Sequence, residues 1–291
     1  MIKKVGFVGL GAMGKGMAFN LLNAGFEMSV YDLNPEILKT FEQAGAKIAN
    51  SPKEVAQVSD VVMTMLPEPQ HVESVYLGEN GLLEGAHEGL YLIDSSTVDP
   101  ECNKKVCEAS AKVGVTMFDA PVGGSPMEAA AGNLVMLVGG KKKDMAACRP
   151  VLDVVGQLSL FCGPIGMGSA VKLANNLMTM NIMALVIEGY TMAEDAGVDT
   201  KVLAELQRLN VPRVFDMMVL MFMAKIDDVG FQTILAHKDV RLALKMAEDT
   251  GTPLPLGSVV KSLLQMNIRQ GRGKLGLQSA RRFYVKEDDN S

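Results

Sequence analysis

Three glycines near the start, Gly9, Gly11 and Gly14, follow the β-prone run Val5-Gly6-Phe7-Val8 and precede a helix-length stretch, Met13–Ala24. A Gly-x-Gly-x-x-Gly turn between a strand and a helix restricts the fold sharply. The first glycine permits a tight turn, the second lets the backbone approach a pyrophosphate, and the third lets the helix pack close to the strand. Ala12 and Met13 complete the loop, and the free N–H groups at the helix start favour an anion. The motif alone also occurs in plain glycine-rich turns. Its place at the first β/α turn supplies the context that a dinucleotide-binding reading demands.

The next segments repeat the pattern. Short apolar runs at Glu27–Tyr31, Val61–Met65, Tyr91–Asp94, Thr116–Ala120, Val135–Gly139 and Leu158–Phe161 read as strands. Helix-length stretches such as Pro35–Ala44 and Pro100–Lys112 lie between them. Several strands are apolar throughout, as a sheet covered on both faces requires. The alternation predicts an α/β domain with a doubly wound, mostly parallel sheet over residues 1–164. Strand runs then fade. A long helix is predicted over Ser169–Ala196, others over Phe231–Thr250 and Gly257–Arg269, with Val211-Pro212 as punctuation between them. Residues 165–291 therefore read as an all-α C-terminal domain, with Lys286–Ser291 as a charged, frayed tail.

Asp32 follows the second strand, and Asn34-Pro35 already provides a helix cap, so Asp32 is free for another role. A carboxylate there accepts hydrogen bonds from the adenosine ribose hydroxyls and repels a 2′-phosphate. This points to NAD, with NADP as the alternative. No arginine follows Asp32 directly, although Lys39 is near in sequence.

Composition excludes several classes. Lys and Arg number 28 against 33 Asp and Glu, a net charge of −5, and aromatics are 5% with no Trp. That mild acidity argues against a basic face for nucleic acid and against attraction to anionic lipid. The four cysteines lack CxxC spacing, and His71, His87 and His237 lack the spacing of metal ligands, so no metal is expected. The N-terminus reads as a strand and turn rather than a signal peptide, which leaves a cytoplasmic protein with reduced thiols as the expectation. The apolar stretch Leu173–Met192 carries Asn175, Asn176, Asn181 and Glu188, so it reads as a buried helix of a soluble protein rather than a membrane span.

Four ordered segments carry a family likeness: Gly9-Leu10-Gly11-Ala12-Met13-Gly14, Asp119-Ala120-Pro121-Val122-Gly123-Gly124, Gly166-Met167-Gly168-Ser169-Ala170-Val171-Lys172-Leu173-Ala174-Asn175-Asn176, and Ala236-His237-Lys238-Asp239. In this order they resemble the β-hydroxyacid dehydrogenases, a family that includes the 3-hydroxyisobutyrate dehydrogenases and tartronate semialdehyde reductases. The likeness runs from Val5 to about Gly271. It implies an N-terminal Rossmann domain, a helical C-terminal domain and an NAD(P)-dependent oxidoreductase acting on a small β-hydroxy acid or its semialdehyde. It assigns the general acid/base to Lys172, and the orientation of substrate and lysine to Asn175 and Asn176. Leu66, Pro67, Thr97 and Lys238 are assigned to the cofactor. One departure stands out. The family's substrate loop reads Ser-Gly-Gly after Pro-Val, whereas here it reads Gly123-Gly124-Ser125. The usual hydroxyl is missing at 123, backbone N–H groups remain to bind an anion, and Ser125 offers a displaced hydroxyl.

The residues themselves suit this chemistry. Lys172, Asn175 and Asn176 stand at i, i+3 and i+4 of the predicted long helix and share one face among apolar neighbours. A partly buried lysine exchanges a proton at a lower pH than a free one. The bland reading is a lysine snorkelling to solvent, with asparagines bonding across helices. Lys238 lies beside the stripe Phe231, Ile234, Leu235 and Leu242, where the bland reading is a solvated charge, and the bland reading of Thr97 is a cap for the Pro100 helix. The 21 methionines read as core or subunit-interface filler, and a homo-oligomer, dimer or tetramer, is expected. Two other functions stay open. One is a reductase of another small anionic aldehyde, succinic semialdehyde or a sulfonated analogue. The other is a noncatalytic nucleotide-sensing protein on the same fold.

Overall fold

A computed structural model describes residues 2–223, 225–226, 228 and 231–284, and the tail 286–291 lies outside them. In chain order the first unit contains β1 (Lys4–Val8), α1 (Gly14–Asn23), β2 (Glu27–Tyr31), α2 (Pro35–Gln43), β3 (Lys47–Ile48), α3 (Pro52–Gln57), β4 (Val61–Thr64), α4 (Pro69–Leu77), β5 (Tyr91–Asp94), α5 (Pro100–Lys112) and β6 (Thr116–Asp119). It continues with β7 (Val122–Gly123), α6 (Pro126–Ala130), β8 (Leu134–Gly139), α7 (Lys142–Val155) and β9 (Gly156–Gly163). The sheet runs β3-β2-β1-β4-β5-β6-β8-β7, with β9 beside β8. Pairing is parallel from β3 through β6 and between β8 and β9, and antiparallel where β8 meets β6 and β7.

Alternation along the strands builds two cores. Val61 and Met63 pack on one face with Phe7, Ile93 and Phe118. Val62, between them, packs on the other with Leu92 and Met117. Successive side chains of a strand point to opposite faces, so helices must cover both. Each fully buried Leu, Ile or Phe contributes about 1.5–3 kcal/mol. Local chemistry sets the helix starts. Asn34, Ser51, Asp99 and Ser125 each accept a backbone N–H of the first turn, and each is followed by a proline at the first helical position. The helices α3 and α6 and the strands β3 and β7 escape sequence reading because two to six residues carry too little periodicity to show.

The chain divides into Met1–Leu177 and Met178–Ser291. The division falls inside the helix α8 (Met167–Asp195). The reason is that the first turn of α8 is tied to the sheet of the first unit. The second unit adds α9 (Thr200–Met223), α10 (Thr233–Thr250) and α11 (Pro255–Asn267) to the rest of α8. Glu188 of α8 accepts the N–H groups of Leu256 at 2.7 Å and Gly257 at 3.1 Å, which caps α11. Asn267 donates to Thr233 Oγ1 at 3.2 Å and Ser279 Oγ at 2.8 Å in a buried polar knot.

Two expectations are corrected. Pro212 does not punctuate, because α9 runs through it and forgoes a single backbone bond. The apolar middle of α8 is not buried within the chain: only Gly168 and Ser169 are. Leu177 is 66% exposed and Ile187 64%, and α8 is long and apolar enough by composition to cross a membrane. The helix is apolar over most of its circumference, and packing within one chain leaves much of that surface uncovered.

Candidate functional site

Tyr31, Val8, Thr64, Asp94 and Asp119 stand in register across β2, β1, β4, β5 and β6. The strands are parallel, so the residues that follow, Asp32, Gly9, Met65, Ser95 and Ala120, all leave the sheet at one carboxyl edge. Open α/β sheets bind ligands at that edge.

The glycine loop crosses it. Gly9 adopts φ +92°, and a Cβ there would overlap the Met65 carbonyl oxygen. A Cβ on Gly14 would overlap the Gly9 carbonyl oxygen. Gly11 differs, because no atom lies within 4 Å of where its Cβ would stand. Gly9 and Gly14 thus serve the turn, while Gly11 leaves space for a ligand over the N–H groups that an α-helix leaves without internal partners. The cleft here has a volume of about 610 Å³ and is lined by Gly9, Gly11, Ala12, Met13, Gly14, Asp32, Leu66 and Pro67 among the predicted residues. Tyr31, Leu33, Met65, His71, Ser74, Val75 and Glu79 also line it and carry no motif of their own. An open backbone at Gly11, a helix start and the Asp32 carboxylate in the cleft wall fit an NAD or NADP dinucleotide.

Asp32 has a second task. Its Oδ2 accepts the Leu10 N–H at 2.6 Å and its Oδ1 the Asn34 N–H at 2.8 Å. Lys39 pairs with Glu36 at 3.1 Å and does not line the cleft. Behind Leu66 lies a buried network that escaped the sequence reading. Ser96 Oγ accepts the Leu66 N–H at 2.9 Å, and Asp94 Oδ1 accepts the Ser96 N–H at 3.1 Å and the Thr64 hydroxyl at 2.8 Å. Burial pushes the Asp94 carboxyl up from its ordinary pKa. The run Asp94-Ser95-Ser96 was the available signal, three small polar residues directly after an apolar strand.

Thr97 lies half-buried just beyond, outside the cleft wall. It is not the cap of α5, since Asp99 accepts the N–H groups of Glu101 and Cys102, each at 3.0 Å. Gly123 pairs with Val135 in the β7–β8 ladder, and a Cβ on it would meet only Val135, 3.6 Å away. Ser125 forms a capping box. Its Oγ accepts the Glu128 N–H at 3.4 Å, and its N–H donates to Glu128 Oε2 at 2.7 Å. That hydroxyl is thereby committed to α6 as an acceptor, and its O–H proton remains for a ligand. Gly124 separates the two with φ +134°.

Lys172 stands on α8 beyond an anchored first turn. Asp119 accepts the N–H groups of Gly166 at 2.7 Å and Ser169 at 2.8 Å. Lys172 and Asn176 are half-buried and Asn175 is exposed, while the apolar neighbours Val171, Leu173, Leu177 and Met178 are exposed in the chain. Among the described residues Lys172 has no ion-pair partner. Burial pushes its ammonium below the usual lysine pKa. Neither Lys172 nor the 123–125 loop lines the 610 Å³ cleft. Lys238 belongs to the second unit, on α10, where it pairs with Asp239 at 3.0 Å.

Comparison with known proteins covers almost all of the chain. Residues 4–171 match the family described as the NAD-binding domain of 6-phosphogluconate dehydrogenase. Residues 166–284 match the NAD-binding domain of NADP-dependent 3-hydroxyisobutyrate dehydrogenase. The mitochondrial 3-hydroxyisobutyrate dehydrogenase of Rattus norvegicus is 35% identical, over 98% of this chain and 88% of the relative. The 3-hydroxyisobutyrate dehydrogenase of Pseudomonas aeruginosa is 36% identical, over 98% and 99%. A structure of the Mycobacterium tuberculosis 3-hydroxyisobutyrate dehydrogenase with L-serine superimposes with a TM-score of 0.68 at 27% identity, covering 98% of this chain and 100% of that one.

Proposed function

The chain belongs to the β-hydroxyacid dehydrogenase family, with 3-hydroxyisobutyrate dehydrogenases among its relatives, and is an NAD(P)-dependent oxidoreductase acting on a CH–OH donor; from this premise we propose that it interconverts a small β-hydroxy acid and its semialdehyde, with Lys172 as general acid/base. The observation that carries the proposal is the placement of Lys172. It rides on a helix whose first turn is fastened to Asp119, at the carboxyl edge where the glycine loop opens.

The nicotinamide supplies the hydride chemistry, and the chain supplies binding, orientation and the proton. In oxidation the neutral Lys172 amine takes the hydroxyl proton. In reduction its ammonium protonates the oxygen of the carbonyl being reduced. Asn175 and Asn176, one turn further along α8, orient the substrate hydroxyl. Backbone N–H groups around Gly123 and Gly124 cradle the substrate carboxylate. L-serine, present with the Mycobacterium tuberculosis relative, is itself a carboxylate with a β-hydroxyl, which supports this substrate class. Asp32 favours NAD over NADP by accepting ribose hydroxyls and repelling a 2′-phosphate.

Gly123 supports a second reading. Its missing side chain leaves space next to Val135, which suits a bulkier anionic head such as a sulfonate. Turnover decides between the readings: 3-hydroxyisobutyrate and L-serine with NAD, then tartronate, succinic and sulfonated semialdehydes with NADH. A carboxylate β-hydroxy acid or its aldehyde turning over best supports the first reading. Cofactor binding without hydride transfer to any of them rejects both.

The exposed apolar surface of α8 supports a homo-oligomer. A contiguous apolar patch of this kind is covered by another surface in a stable protein. Light scattering of the wild type and of Ile187→Asp tests this, with a smaller species expected for the variant.

A further inference from the structure

Asp119 is buried at the end of β6, and both of its carboxylate oxygens serve the start of α8. A second tie comes from α5, where Asn103 Nδ2 donates to Ser169 Oγ at 2.7 Å. A third is steric, since Gly168 lies so close to β8 that a Cβ on it would overlap the Leu137 carbonyl oxygen. Three elements thus fix one helical turn.

Burying a carboxylate is costly unless strong donors meet it. Here the donors are N–H groups that the helix start leaves without partners, and the positive end of the helix dipole adds to them. The same bonds oppose rotation of the helix about its axis and sliding along it. Ser169, Lys172 and Asn176 follow at i, i+3 and i+7, so they lie along one stripe of α8. That stripe is the inward one: Ser169 is buried and Lys172 and Asn176 are half-buried, while Leu173, Ala174 and Asn175 are exposed.

We propose that Asp119 is the positioning residue for Lys172: by gripping Gly166 and Ser169 it sets the rotation and height of α8, and so aims the lysine amine at the substrate oxygen. The proposal rests on the acid/base reading of Lys172. Misplacing a catalytic group by about 1 Å costs up to about 100-fold in rate, so a clamp of this kind has a kinetic signature.

Asp119→Asn keeps the shape but turns one acceptor oxygen into an amide donor facing an N–H. It should lower kcat by about 10- to 100-fold. The NADH dissociation constant, read by fluorescence titration, should stay within about twofold, because the cleft residues are not in the clamp. Hydrogen exchange should speed up over residues 166–172 and remain unchanged in the central strands. In a Lys172→Ala background the same substitution should change the remaining turnover by less than about twofold, since a residue acting through Lys172 has nothing left to aim. An equal loss in both backgrounds, or exchange raised throughout the unit, marks a purely structural carboxylate and overturns the proposal alone. Full turnover by Lys172→Ala overturns the acid/base reading and the proposal with it. If Asp119→Asn does not fold, Asp119→Glu keeps the charge but moves the gripping oxygens by one methylene, and it should lower kcat by about 10-fold or more with the same dependence on Lys172. Unchanged turnover there overturns the proposal.

Discussion

The Leu10 backbone N–H donates to Asp32 Oδ2 at 2.6 Å, joining the glycine loop to the residue that follows β2. Asp32 therefore shapes the loop while presenting its carboxylate to the cleft. Cofactor choice and loop geometry are coupled through one side chain.

Asp32→Ser removes both functions. We expect kcat/KM for NAD to fall by about 10- to 100-fold, the value of losing hydrogen bonds to a charged group, while NADP use improves as the repulsion of its 2′-phosphate disappears. Steady-state kinetics with both cofactors measures this, and a wild-type preference for NADPH would reject the assignment.

Gly11 and Gly14 should separate ligand binding from folding. Gly11→Ala adds a methyl group to open space, so stability should remain within about 0.5 kcal/mol while NADH binding weakens. Gly14→Ala drives its methyl into the Gly9 carbonyl and should cost about 1–3 kcal/mol of stability. Thermal melts and NADH titrations of both variants give the comparison. Equal melting losses would show that Gly11 is also a packing glycine.

Gly123→Ser restores a hydroxyl to the anion cradle. The nearest neighbour of the new Cβ is Val135, 3.6 Å away, so the substitution fits without strain. The substrate KM and the ranking of aldehydes should shift, and the NADH dissociation constant should not. A ranking that does not move would remove this loop from substrate selection.

Lys172 sets the sign of the pH dependence. Burial lowers its pKa, so the neutral amine appears at a lower pH than in an exposed lysine. Oxidation needs that neutral form and should accelerate as pH rises through the lowered pKa. Reduction needs the ammonium and should slow over the same interval. Lys172→Ala should abolish both limbs and reduce turnover by about 10²–10⁴-fold. Lys172→Arg should rescue poorly, since guanidinium stays protonated at working pH. A folded Lys172→Ala enzyme with near wild-type turnover would return this lysine to a structural role.

The phosphate loop, the β/α order of the first unit and the helical character of the second were legible in the residues alone. These are local properties. A glycine turn needs φ values that few residues adopt, strands repeat every two residues, and Asn34 or Asp99 before a proline announces a helix start within its own turn. Which distant groups meet was legible only once the chain was folded. Asp119 finds Gly166 and Ser169 at separations of 47 and 50 residues, and Ser96 reaches the Leu66 N–H across 30. Such partners are selected by the register that aligns Thr64, Asp94 and Asp119 on one sheet edge, and no pattern within a few residues encodes that alignment. The exposure of α8 has the same origin. An apolar helix reads alike whether its own chain covers it or leaves it bare, because burial is a property of neighbours and not of the residues themselves.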